Sequence, residues 1–159
     1  MTTPLEIMRQ LGPQTVDVSP QAKALGLKLV SLDKGEAVLR CPYRADLIGD
    51  PSTGVIAGGV VTTLLDHTCG QAVIAAMDVY RQVVTLDLRI DYMRPAEPGL
   101  DIFAYAHCYK LTRSVAFVRA VAYDKDREDP VATVQATFVI NGDRGAAAPS
   151  DAEQGGDVS

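Results

Sequence analysis

The sequence predicts an α+β fold in which an antiparallel sheet wraps around one long central helix. Three observations carry this. A single segment, from about Gly58 to Asp78, is long, free of proline and apolar around most of its circumference. Strand-length segments rich in β-branched and aromatic residues follow it, with no helix-length stretch between them. The connections 111–114 and 124–130 are polar and of hairpin length, which favours antiparallel pairing.

In chain order, Pro4 to Leu11 reads as a short helix with Leu5, Met8 and Leu11 on one side. Ser19-Pro20 reads as the N-cap and first position of a second helix running to Leu25. Residues 1–24 therefore form a helical N-terminal segment. Leu27 to Leu32 and Glu36 to Cys41 are strands about a turn at Asp33-Lys34-Gly35. A loop containing Asp50-Pro51-Ser52-Thr53-Gly54 then leads into the long helix. Thr85 to Met93 alternates without a break, with Leu86, Leu88, Ile90 and Tyr92 on one face and Asp87, Arg89 and Asp91 on the other. Pro95 and Pro98-Gly99 end that strand, and Ile102–Lys110, Val115–Tyr123 and Val131–Ile140 complete the set. The main domain spans 25–141. From Gly142 onward the chain is rich in Gly, Ala, Asp and Ser, has little to bury, and is expected to be disordered.

At 159 residues the chain holds one domain, and its 47% hydrophobic content fills an ordinary core. Fifteen Lys and Arg against twenty Asp and Glu leave a net charge of −5, which gives no basis for binding nucleic acid. MTTPLEIMRQ has no basic stretch followed by an apolar run, and the longest apolar segments are broken by Asp66, His67, Gln71 and Asp78. Cys41, Cys69 and Cys108 are odd in number and lack metal spacing. The expectation is a cytoplasmic protein with reduced thiols and no membrane partner. A domain this small supplies only part of a large active site, so self-association is part of the reading.

Asp66 is the residue that calls for explanation. It lies mid-helix after Leu64-Leu65, where an unpaired buried carboxylate is costly. Its helical neighbours Thr62, Thr63, Cys69 and Gly70 are all small, leaving room for a ligand to approach. Either the side chain is simply exposed or caps a neighbouring loop, or it is a general base or nucleophile in a partly dry cleft. Gly58-Gly59, where the loop enters the helix, lets a ligand reach backbone N–H groups that lack helical partners and suit a developing oxyanion. Gly58 and Asp66 are about 12 Å apart along one helix. A second chain, its helix antiparallel to the first, would bring its own Asp66 to this Gly58.

The sequence resembles the hotdog-fold thioesterases of the phenylacetic-acid-degradation (PaaI) type, which hydrolyse acyl-coenzyme A thioesters. The matching stretches are Gly54-Val55-Ile56-Ala57-Gly58-Gly59-Val60-Val61 through Leu64-Leu65-Asp66, then Thr85 through Tyr92-Met93-Arg94-Pro95, then Ala132-Thr133 to Phe138. The resemblance implies a sheet wrapped around one long helix, in dimers that often pair again. It implies that the Gly58 N–H polarises the thioester carbonyl, that Asp66 of the partner subunit activates water or attacks directly, and that Thr85 helps hold the water. No cofactor or metal is called for.

This chain departs from the family's usual His-Gly-Gly in having Ala57-Gly58-Gly59, and Asp50 or Pro51 stands where Asn often lies. Two readings follow. Either the backbone donor and Asp66 suffice for hydrolysis of an acyl-CoA, or the chain is a non-hydrolytic acyl-CoA or acyl-carrier binding protein. The expected substrate contacts are Ala57, Gly59, Asp50, Thr62, Arg94 and Arg113, with Lys110 and Arg119 as further cations near a coenzyme A site. His67 turns about 100° away from Asp66, His107 sits on a strand, and Cys69 lacks an evident base, so each reads as packing or surface. No GxxxxGK[ST], GxGxxG or GxSxG pattern is present.

Overall fold

The computed structural model describes residues 1–141, so the tail expected to be disordered, 142–159, lies outside the described residues. The N-terminal segment folds as three short helices: α1 (Pro4–Leu11), α2 (Gln14–Asp17) and α3 (Pro20–Leu25). Thr3 and Glu6 cap α1 reciprocally, each side chain satisfying the other's backbone N–H, and Pro4 starts the first turn. Ser19 caps α3, and Gly26 ends it in the left-handed region at φ 71°. α2 lies between the two helices expected from sequence; four residues are too few to show a periodicity.

Two strands follow, β1 (Lys28–Asp33) and β2 (Glu36–Cys41), then a 3₁₀ turn at Ala45–Leu47. A small ladder of β3 (Ile48–Asp50) and β4 (Val55–Ile56) precedes the long helix α4 (Gly58–Ala76). The chain ends in β5 (Val83–Tyr92), β6 (Ile102–Leu111), β7 (Val115–Tyr123) and β8 (Ala132–Ile140). The main sheet is fully antiparallel in the order β1-β2-β6-β7-β8-β5, which leaves β1 and β5 as edges. α+β content with the sheet around one long helix is as the sequence predicts.

The inner face of the sheet explains how the helix fits. Ala37, Ala104, Ala106, Ala116, Ala122 and Ala132 are all essentially buried and alternate with outward residues. Small side chains let α4 sit close to the strands, while Leu64, Leu65 and Val73 fill the space between them. α4 buries only this side. Gly58 and Gly59 are exposed, and Thr62, Thr63, Asp66 and Gly70 are half-buried along a stripe of small and polar residues. The helix also stops at Ala76, two residues before the expected Asp78, because Met77 turns to extended geometry at ψ 153°.

One expectation about β5 is corrected. Its alternation is broken by a bulge at Leu86: Thr85 pairs with Phe138, and Asp87 with Thr137. One extra residue moves everything N-terminal to it onto the opposite face. Leu86 is therefore 65% exposed instead of sharing a face with Leu88 and Ile90, and Thr85, itself exposed, comes onto the helix-facing side beside Phe138.

Candidate functional site

Asp66 is held by the residue that the bulge delivers. Thr85 donates its hydroxyl proton to Asp66 Oδ1 at 2.9 Å, joining mid-helix to the edge strand. The second carboxylate oxygen has no partner among the described residues. A half-buried carboxylate anchored at one oxygen and free at the other is suited to accept a proton from water. Cys69, one turn on, is fully buried, and burial raises the pKa of its thiol, which disfavours the thiolate. His67 is half-buried, and burial, only partly offset by neighbouring Asp66, lowers its pKa.

Eight residues earlier, α4 begins with a pair of open donors. Ala57 is the N-cap and offers no side-chain bond to the first turn. Among the described residues, neither the Gly58 nor the Gly59 N–H has an acceptor. The approach to them is fixed from behind. Ala57 N–H donates to Leu47 O at 2.9 Å, and a Cβ on Gly49 would lie 2.9 Å from Ala57 Cα, so this backbone passes at a distance only glycine permits. Asp50 shapes the preceding turn: its Oδ1 accepts from Ser52 N–H at 2.9 Å and Ser52 Oγ at 2.7 Å. Those bonds lower its pKa and commit Oδ1 to the turn.

Tyr92 lies across the start of the helix. Its hydroxyl donates to Gly58 O at 2.7 Å and lies 2.6 Å from Thr62 Oγ1, which itself reaches Gly58 O at 3.1 Å. Thr62 is therefore engaged with the helix terminus. Beside this cluster is an open, mainly apolar cavity of about 320 Å³, whose walls include Val55, Gly58, Val61, Tyr92, Met93 and Ala96. Sequence reading gives Tyr92 only a place on the strand; its one signal was the position at the end of β5, just before the Arg-Pro that leaves the sheet.

Arg94, the expected phosphate contact, is engaged by neighbouring acidic groups. It pairs with Asp124 through two bonds, at 2.9 and 2.6 Å, and donates to Asp129 O at 2.8 Å. The Asp124 side chain is only 1% exposed and also accepts from the N–H groups of Glu97 and Lys125. Arg94, opposed by burial and aided by those N–H groups, holds the Asp124 carboxyl well below the usual range. The guanidinium is spent on fixing the cavity wall. Arg113 is exposed in the β6–β7 turn, where its carbonyl accepts from Arg81 at 2.8 Å, beyond the C-terminal end of α4 and away from Gly58. Arg119 lies 4.3 Å over the Tyr109 ring.

The structure thus brings Asp66 to Thr85, and Gly58 to Thr62 and Tyr92. It leaves the two groups about 12 Å apart along α4 in a single chain.

Residues 53–131 match the family model of the thioesterase superfamily. A solved protein from Pseudomonas aeruginosa is 39% identical and superposes with a TM-score of 0.73, over 80% of this chain and 94% of that one. A mutant of the phenylacetic acid degradation protein PaaI from Thermus thermophilus is 31% identical with a TM-score of 0.66, over 76% of this chain and 98% of that one. Human acyl-coenzyme A thioesterase 13 is 27% identical over 118 residues, 74% of this chain and 82% of its own length. The chain spans about half the length of the first curated relatives it matches, as with one from Halobacterium salinarum that is 38% identical over 79 residues and 52% covered.

Proposed function

The chain belongs to the thioesterase superfamily and has its hotdog fold, and from that premise we propose that it is a PaaI-type hydrolase of acyl-CoA thioesters. The observation that carries this is the Asp66–Thr85 pair, with one carboxylate oxygen free, on the same helix that starts with unpartnered N–H groups. In the proposed reaction a water oxygen bonds to the thioester carbonyl carbon as Asp66 takes its proton. The carbonyl electron pair moves onto oxygen and is stabilised by the Gly58 N–H. Collapse of that oxyanion breaks the C–S bond, and the sulfur leaves to take up the proton, giving a free acid and coenzyme A.

The site is completed by a second copy of the chain. Among the described residues β5 is a sheet edge with no strand beyond it, and Val84 and Leu86 are half or more exposed there, a surface that natural sheets cover. Pairing two β5 edges about a two-fold axis sets the helices antiparallel, so each Asp66 approaches the other chain's Gly58. A homodimer, able to pair again, acting on acyl-CoA in the cytoplasm is the resulting picture. Ala57 and Gly59 would border the thioester, and Asp50 would act through the turn it builds.

Ala57 favours the rival reading, a non-hydrolytic acyl-CoA or acyl-carrier binding protein, because it offers no side-chain hydrogen bond. Thiol release from short, medium and aromatic acyl-CoAs separates the two. Saturable turnover by the wild-type chain, lost in Asp66→Asn, supports the hydrolase. Tight binding without turnover across the panel rejects it. A rate gain in Ala57→His would show that the absent imidazole limits the reaction.

A further inference from the structure

We propose that Tyr92 is a positioning residue for the oxyanion site, and that the Gly59 N–H is a second donor there, made stronger by Tyr92 through the peptide they share. The inference rests on the hydrolase reading above and concerns groups that it leaves unused.

The Gly58 carbonyl and the Gly59 N–H are opposite ends of one planar peptide. What is bonded to the carbonyl therefore sets the direction and polarity of the N–H. Two hydroxyls lie against that carbonyl, Tyr92 at 2.7 Å and Thr62 at 3.1 Å, and they are 2.6 Å apart. With two protons for three contacts, Thr62 donates to the phenol oxygen and the phenol, the nearer of the two, donates to the carbonyl. The phenol rests against the peptide, since a Cβ on Gly58 would come within 3.5 Å of the Tyr92 oxygen. On the other side, a Cβ on Gly59 would meet nothing within 4 Å, so the space in front of this residue is open. Hydroxyl donation to an amide oxygen draws density along the peptide and makes its N–H a better donor. Successive N–H groups at a helix start point the same way, outward, and the helix dipole adds to their pull on an anion. Tyr92 is 51% exposed, so this ring is not a core-filling group that happens to carry a hydroxyl.

A bond that strengthens an oxyanion donor acts when charge develops, and little before. The distinguishing readout is thus kcat against KM, together with two coenzyme A analogues. One is a trifluoromethyl ketone, whose hydrate resembles the tetrahedral intermediate; the other is a thioether with no carbonyl.

In the full-length protein Tyr92→Phe is expected to lower kcat about tenfold and leave KM within about twofold. Affinity for the ketone hydrate is expected to fall about tenfold while the thioether binds as before. An unchanged kcat in a variant that melts with the wild type overturns the inference. Equal losses for both analogues also overturn it, because they would show general disturbance of the pocket. If Tyr92→Phe melts well below wild type, Thr62→Val, which removes the hydroxyl beside the phenol, supplies the same comparison with an expected loss of about threefold. Absence of turnover in the wild type would reject the hydrolase reading and this inference with it; normal turnover with an indifferent Tyr92→Phe rejects this one alone.

Discussion

Gly58→Pro removes the proposed oxyanion donor while leaving the backbone almost undisturbed. Proline lacks the N–H, and at the first position of a helix that N–H has no helical acceptor to lose. Two features make the substitution fit. Ala57 has φ −58° and ψ 137°, the extended geometry that a residue before proline prefers. A Cβ at position 58 makes ordinary contact, 3.5 Å from the nearest atom of Tyr92. Folding should lose nothing, and restriction of the unfolded chain contributes about 0.4–1 kcal/mol, or about 1–4 °C in Tm.

Catalysis should respond very differently. Loss of one preorganised donor costs about 10²–10³ in kcat, about 3–4 kcal/mol, with little change in KM. Steady-state thiol release and thermal melts at one fixed protein concentration read both quantities. Activity within about threefold of wild type, in a protein that melts normally, would refute the assignment of Gly58. The same variant tests the shared site. Random mixing of Gly58→Pro and Asp66→Asn chains makes about half the dimers mixed, each with one intact site if donor and carboxylate come from different chains. The mixture should then recover about a quarter of wild-type activity. No recovery from an exchanged mixture would place both groups of each site in one chain.

Three other outcomes follow from the geometry. Thr85→Ala frees Asp66 Oδ1 and should lower kcat about tenfold, whereas Thr85→Ser, which keeps the hydroxyl, should lose much less in the same assay. Gly49→Ala forces a Cβ to 2.9 Å from Ala57 Cα; it should cost about 2 kcal/mol in a denaturant melt and displace the turn before Gly58 enough to reduce turnover. Asp124→Asn leaves about two of four donors without an acceptor and should cost about 3 kcal/mol, or about 6–12 °C in Tm. Because the folded Asp124 carboxyl lies below its unfolded value of 3.8, its contribution is whole above about pH 4 and is lost as pH falls from there towards the folded value, which acid melts of wild type and Asp124→Asn together would show.

Much of the fold was legible because its signals are local. Strands β2 and β7 and helix α1 match the sequence reading residue for residue, since each is bounded by turn or cap residues that act within a few positions. The bulge in β5 was not legible. Thr85 to Tyr92 has a perfect period of two, and only pairing with β8, about fifty residues later, shows that one residue is extra. That miss affected the chemistry. Strict alternation puts Thr85 on the outer face with Asp87, where it would never meet Asp66. The long helix shows the opposite limit: its composition looks apolar all round, yet the stripe through Gly59, Thr63, Asp66 and Gly70 is small or polar and only partly covered in one chain.

The Tyr92-Met93-Arg94-Pro95 stretch is where sequence pattern and chemical role separate most. An arginine next to a proposed phosphate ligand's site invites assignment to the phosphate, but a guanidinium already bonded to a nearly inaccessible carboxylate has few donors left to offer. Its pairing with Asp124 instead ties residues 93–97 to the β7–β8 connection, and so fixes one wall of the apolar cavity. Tyr92 works in the other direction, from the end of β5 onto the first peptide of α4. One short segment therefore holds both the cavity wall and the helix start, its two polar side chains bonded to different partners. Tyr92 is the last residue of β5, still paired with Ala132, whereas Arg94 lies beyond the strand, where alternation no longer sets its direction. Under the proposed acyl-CoA reading, coenzyme A contacts would then come from other cations, and a charge-reversal scan of Lys110, Arg113 and Arg119 read by KM would find them. A rise in KM for Arg94→Ala without a drop in Tm would return that role to Arg94.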